Sequence, residues 1–228
     1  MADHLPFERL LSDHKTIVCR DGTLVQCLMV EGRDSMFLSA SEREGLFRVR
    51  KNWLDTLSEL GITVRVLLVR ERVNVTRTDE YDLPLLRELA TAWNRSFQTS
   101  FLNRQTIVLS VSGKTRSATT RLSEAVDVTM QILDPYHPKP MIQANDLATA
   151  PASDFLLAFW GRLTSPLSKP TPVSGTHDIA ELIATDIVEF TGESGLIVFR
   201  RGTEVLYAAA IGIRRFGDYI DEQMIADF

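Results

Sequence analysis

The stretch Thr16-Ile17-Val18-Cys19-Arg20-Asp21-Gly22-Thr23-Leu24-Val25-Gln26-Cys27-Leu28-Met29-Val30 decides the fold. Thr16 to Arg20 and Leu24 to Val30 are β-prone runs. Between them Asp21-Gly22 is a pair suited to positive φ, so the segment predicts a tight β-hairpin. Working outward, the next segment switches from the strand period to the helix period. Ser41-Glu42-Arg43-Glu44 supplies a hydroxyl and, three positions on, a carboxylate that can reach back, which predicts a helix start there. Leu46, Val49, Trp53, Leu57 and Leu60 then form one apolar stripe, and Gly61 suits a left-handed helix end.

Ile62 to Val69 reads as a strand with Ile62, Val64, Val66 and Leu68 on one face. Asp82 and Pro84 open a second helix carrying Leu86, Leu89, Trp93 and Phe97, predicted to run to about Leu102. Ile107, Leu109 and Val111 alternate along a further strand. Leu122, Val126, Met130 and Leu133 mark a third helix that stops before Asp134-Pro135. This order predicts an α+β lobe over residues 1–134, its helices packed on one face of a mixed, mainly antiparallel sheet.

Seven of the nine prolines lie between Pro135 and Pro172, so residues 135–177 read as a proline-rich connector. Within it, Ser153-Asp154 caps a short helix carrying Phe155, Leu156, Phe159, Trp160 and Leu163, apolar around much of its circumference. Such a helix is buried against something. Residues 178–228 read as a smaller β-rich lobe. A short helix from Asp178 leads into strands Ile187 to Phe190, Leu196 to Phe199 and Glu204 to Ile213, and an amphipathic helix spans Tyr219 to Phe228. The chain reaches Phe228 without a stop signal, which reads as a segment cut from something longer.

Composition narrows the function classes. The chain has 228 residues, 44% of them hydrophobic and 24% charged, as in an ordinary folded protein. With 25 basic against 30 acidic residues the net charge is −5, so broad wrapping of DNA or anionic membrane is not expected. Cys19 and Cys27 are out of register for a disulfide. Met1-Ala2-Asp3-His4 lacks the basic and apolar regions of a secretory signal, and no apolar run approaches the ~20 residues that span a bilayer. These features predict a cytoplasmic chain whose membrane contact is peripheral or through a partner.

Candidate chemistry is sparse. Ser112-Gly113-Lys114-Thr115 has the ending of a phosphate-binding loop, but Val108 stands where that loop needs its first glycine, so a strand-to-helix turn is expected. His4, His14, His137 and His177 are scattered, with no metal-ligand spacing. No Gly-x-Ser-x-Gly elbow is present. Asp178 with Glu181, and Asp218 with Glu222, share helical faces at a spacing typical of solvated surfaces. Basic residues cluster at Arg43, Arg48, Arg50 and Lys51, at Arg65, Arg70, Arg72 and Arg77, and at Arg200, Arg201, Arg214 and Arg215, interleaved with acidic side chains. Neither a catalytic nor a cofactor-binding nor a metal residue is assigned. Phe155, Phe159, Trp160, Arg70, Arg72, Arg214 and Arg215 form the candidate interaction surface, with aromatic anchors for binding energy and arginines for orientation.

His4-Leu5-Pro6-Phe7, the hairpin Ile17 to Gln26 and its continuation Val30-Glu31-Gly32-Arg33-Asp34 resemble the N-terminal region of the type IV secretion and conjugation ATPases, the TrbE/CagE/VirB family. A helix with a tryptophan, a strand ending Val69-Arg70-Glu71-Arg72, and Tyr207 to Arg215 running into Phe216-Gly217-Asp218-Tyr219 extend the likeness. Many relatives carry an aromatic-proline pair where Phe216-Gly217 stands. The resemblance implies a non-catalytic docking and assembly domain that links the motor to the inner-membrane complex, for conjugative DNA or effector transfer, at the cytoplasmic face of the bacterial inner membrane. It implies membrane-complex components and sister subunits as partners, no direct nucleic-acid contact, and no cofactor in this segment. ATP and magnesium belong to a motor domain beyond it. Two other readings stand beside this one. A stand-alone hydrolase would place its site between the lobes, with converging Asp, His and Arg of shifted pKa. A nucleic-acid-binding module would gather the arginine clusters on one face.

Overall fold

A computed structural model describes residues 2–31, 38–74, 83–96, 99–113, 116–143, 156–167, 179–191 and 196–209. The fold is α+β, and every strand pair among the described residues is antiparallel. Strands β1 (Phe7–Leu10), β2 (Ile17–Cys19), β3 (Leu24–Val30), β4 (Thr63–Asn74), β5 (Thr99–Val111) and the short β6 (Lys139–Pro140) form one sheet in the order β1-β2-β3-β5-β4, with β6 also against β3. The helices are α1 (Ala40–Glu59), α2 (Pro84–Ser96), α3 (Arg116–Ile132), α4 (Leu156–Thr164) and α5 (Ile179–Ile183). A second sheet of three strands, β7 (Ile187–Thr191), β8 (Leu196–Arg201) and β9 (Glu204–Ala209), is a meander.

The hairpin forms where the sequence places it, through a three-residue loop. Cys19 N–H donates to Thr23 O at 2.8 Å, and of the central residues only Gly22, at φ 86°, takes a left-handed conformation. Asp21 stays on the ordinary side, and its carboxylate accepts from Thr23 N–H at 2.8 Å, so a side chain does what a second positive φ would have done.

Helix α1 begins two residues before the expected cap. Ser39-Ala40-Ser41-Glu42-Arg43-Glu44 holds two overlapping Ser-x-x-Glu frames, and the earlier one is used. Ser39 Oγ accepts from Glu42 N–H at 3.3 Å while Glu42 Oε2 accepts from Ser39 N–H at 2.8 Å. Glu44 is thereby freed to pair with Arg48 at 3.1 Å. At the other end Gly61 (φ 66°) donates to Ser58 O, and Ile62 N–H reaches Leu57 O, both at 3.0 Å, which satisfies two of the orphan carbonyls.

Helix α2 ends at Ser96, short of the expected Leu102. The β-prone Thr99-Ser100-Phe101 joins β5 instead, in register with Asn74, Val73 and Arg72 of β4, so β4 and β5 form a long ribbon. A backbone that can pair for twelve consecutive partners stabilises strand over helix there.

The helices occupy both faces of the sheet, where the sequence reading had placed them on one. Strand β3 explains this, because its run Leu-Val-Gln-Cys-Leu-Met-Val is buried on both sides except for half-buried Met29. On one face Leu24, Leu28, Ile107 and Leu109 meet Trp53 and Leu57 of α1 and Leu122 and Val126 of α3. On the other, Phe7, Ile17, Val25, Cys27 and Val108 meet Leu156, Leu157 and Phe159 of α4 and Ile179 and Ile183 of α5. The apolar helix that the sequence puts inside a connector is thus the cover of the second face. Gln143 fixes its start, with Oε1 accepting from Leu157 N–H at 3.1 Å. Ser165 and Asp186 join it to the segment before β7. Ser165 Oγ accepts from Thr185 and Asp186 amides at 2.8 and 3.1 Å, and Asp186 Oδ2 accepts from Leu167 N–H at 2.9 Å. Each large apolar side chain buried in these two layers contributes about 1.5–3 kcal/mol, so both layers matter to stability.

Candidate functional site

Of the proposed surface residues, Phe159 is buried and Trp160 half-buried, both turned onto the sheet. Trp160 sits 4.7 Å from the Phe7 ring at 54° and 5.2 Å from Phe159, edge-on. Their apolar area is therefore spent on the protein's own core. Arg70 is exposed on β4, and strand alternation puts it on the α1 side of the sheet, across from the aromatic pair. Arg72 is paired through its backbone with Phe101, but its side chain lies outside the described residues, as do Phe155, Arg214 and Arg215. The structure brings Phe159 and Trp160 together and leaves Arg70 on the opposite face.

The open surface lies on the α1 side. A groove of 750 Å³ runs along α1 over the sheet, from Val30 of β3, Leu133 and Tyr136 across β5 to Val66 of the edge strand β4. Val66 of β4, Ile107 and Gln105 of β5, and Trp53 form part of its floor, while Phe47 and Leu54 of α1 overhang it. Phe47, Leu54, Val66 and the neighbouring Leu68 are 56, 48, 57 and 63% exposed, a large apolar area to leave in water. The α1 rim carries Arg43 and Arg50. No carboxylate among the described residues is paired with either one, because Glu44 is engaged by Arg48 and Asp55 by Lys51 at 2.6 Å. Sequence reasoning assigned Phe47 and Leu54 no role. Their signal was present as apolar residues seven apart beside the core stripe, but helix periodicity alone does not say where the covering sheet ends. A second exposed apolar surface is the stripe Leu85, Leu86, Leu89 and Trp93 on α2.

Elsewhere the polar groups serve the fold. Burial pushes the Cys27 thiol up to about 12 and the Cys19 thiol up to about 11. Both cysteines are free. Burial acts to raise the Asp13 carboxyl, but the Thr16 hydroxyl and the Lys15 and Thr16 amides outweigh it and hold the carboxyl below its ordinary value. Thr16 in turn accepts from Gln26 Nε2 at 2.7 Å, so this cluster satisfies buried groups at the end of the hairpin. Val108 is mid-strand in β5 and 3% exposed, and Gly113 follows at the strand end with φ 118°. The backbone nest of a phosphate loop has no room to form across a paired strand. Lys114, Thr115 and His177 lie outside the described residues. Among the described residues no group of His, Cys, Asp or Glu is arranged to hold a metal ion, and no helix is long and apolar enough to cross a membrane.

The family model for the type IV secretion system ATPase VirB4/TrbE, N-terminal domain, matches residues 15–119. That segment is similar to VirB4/TrbE N-terminal domains. It runs from the start of β2 into the first turn of α3 and contains α1, α2, β3, β4 and β5. The α1, β4 and β5 residues of the groove lie within the matched residues, while its Leu133 and Tyr136, with α4, α5 and the β7–β9 sheet, lie beyond them. No curated protein matches the chain at a significant level.

Proposed function

We propose that the chain is a non-catalytic docking and assembly domain of a type IV secretion ATPase. It joins the motor to inner-membrane components of the secretion complex, at the cytoplasmic face of the bacterial inner membrane, and contacts sister subunits. The observation that carries this reading is that the segment similar to VirB4/TrbE builds an exposed apolar helix stripe and most of an exposed apolar groove. Surfaces of this kind gain free energy when a protein partner covers them. Residue chemistry points the same way. Among the described residues the displaced carboxyls, Asp13 and Glu31, are both held low by local partners, as side chains serving the fold are. Nucleotide and magnesium are assigned to a motor domain outside this segment, and conjugative DNA or effector transfer to the assembled machine.

The test has two arms. Immobilised chain is incubated with detergent extracts of membranes containing or lacking the secretion complex, and retained complex components are identified; retention from the first extract only is expected. Titration calorimetry with magnesium-ATP should give no binding heat. Micromolar nucleotide binding, or equal recovery from both extracts, overturns the proposal.

A further inference from the structure

The groove beside α1 has a lining pattern that specifies more than stickiness. Along α1 its exposed wall includes Arg43, Phe47, Arg50 and Leu54, at spacings of four, three and four, together with Glu44, whose carboxylate is engaged by Arg48. Arg43 and Arg50 are two helical turns apart, about 10 Å along the axis, and so are Phe47 and Leu54. This spacing near a 3.5-residue period puts all four on one stripe, where apolar and cationic residues alternate along a face that a second helix can pack against. Among the described residues the sheet contributes uncharged side chains to the groove, Val30, Val66, Gln105 and Ile107, and no carboxylate is paired with either rim cation.

We propose that this groove receives an amphipathic helix of a partner protein whose apolar stripe is flanked by acidic residues about seven positions apart. Its apolar side chains would cover Phe47, Leu54 and Val66, and its carboxylates would meet Arg43 and Arg50. The spacing decides against a phosphate-bearing small ligand, because one phosphate cannot bridge cations about 10 Å apart, whereas carboxylates two turns apart on a helix can. The open, half-exposed lining likewise suits a helix laid along the surface better than an engulfed metabolite. This inference rests on the docking reading and names the chemistry of one partner.

The probe is a fluorescent synthetic helix of about 15 residues with leucines at 3-4 spacing and glutamates flanking them. A second peptide carries lysines in place of the glutamates. Both are titrated by anisotropy into the full chain, into Val66→Asp, and into the double variant Arg43→Ala with Arg50→Ala. All three substituted side chains are exposed, so the fold should persist, and circular dichroism checks it. The glutamate peptide should bind roughly tenfold tighter than the lysine peptide, and the preference should vanish in the double arginine variant. Val66→Asp should weaken binding by about tenfold or more, because a partner would bury an unpaired carboxylate. Equal binding of the two peptides, or no effect of Val66→Asp, overturns the proposal. So does sedimentation showing self-association that Val66→Asp abolishes, since the groove would then belong to a second copy. Repeating the membrane-extract retention with Val66→Asp separates the two readings. Retention unchanged by the substitution leaves docking intact and removes the groove; no retention by the unaltered chain removes docking itself.

Discussion

Trp53 holds α1 on the sheet and floors the groove, and its bond to Thr129 lends itself to a double-mutant cycle. The indole is 4% exposed, and its Nε1–H donates to Thr129 Oγ1 at 2.9 Å; the hydroxyl donates onward to Ala125 O at 2.7 Å. In Trp53→Phe the hydroxyl keeps its donated bond and loses the accepted one, about 0.5–1.5 kcal/mol. The missing benzo ring also leaves a void, so a total near 2–3 kcal/mol is expected. Thr129→Val keeps the shape but strands a buried indole N–H, costing about 1–3 kcal/mol. With both changes no orphan donor remains, and the loss should fall short of the sum by about 0.5–1.5 kcal/mol. Equilibrium urea unfolding followed by circular dichroism, with unchanged m-values, measures all four corners. Additivity within about 0.3 kcal/mol would refute the reasoning, because α1 would then be held by packing alone.

The Asp13 carboxyl is held below its ordinary value of 3.8 by groups that exist only in the folded hairpin. Its contribution is present above that value and lost as pH falls through the lower folded value. Unfolding midpoints should therefore drop more steeply below about pH 4 in the unaltered chain than in Asp13→Asn, and parallel curves would exclude the assignment. With thiols pushed to about 11 and about 12, Cys19 and Cys27 should react with a disulfide reagent at pH 8 roughly a hundredfold slower in the native chain than in guanidinium. Stoichiometric labelling of native protein within a minute would place a thiol at the surface.

How much was legible in the sequence depended on whether a feature was local. The hairpin, the Gly61 stop and the end of α3 before Asp134-Pro135 rest on dihedral preferences and capping within a few residues, and the structure has them. The helix limits that moved are those where two local choices compete, Ser39 against Ser41 as cap, and helix against ribbon at Thr99 to Phe101. At Thr99 to Phe101 the outcome is set by pairing partners 25 or more residues away, such as Asn74 for Thr99. The groove is less local still. Phe47 and Leu54 differ from Val49 and Leu57 by a small rotation about α1, yet one pair overhangs the sheet margin and the other packs onto it or is buried. Only the sheet order decides, since β4, at the edge, leaves Val66 and Leu68 uncovered, whereas Leu109 and Leu28 on the next strands are sealed. The same reasoning reassigns the aromatic helix. Phe159 and Trp160 read as partner anchors while only one sheet face was thought to carry helices, and once β3 is apolar on both faces they are needed at home. What remains exposed is then informative, because among the described residues helices cover both faces of the central strands while the apolar seam reaching β4 lies beside two arginines without a carboxylate partner, a surface of defined length and charge.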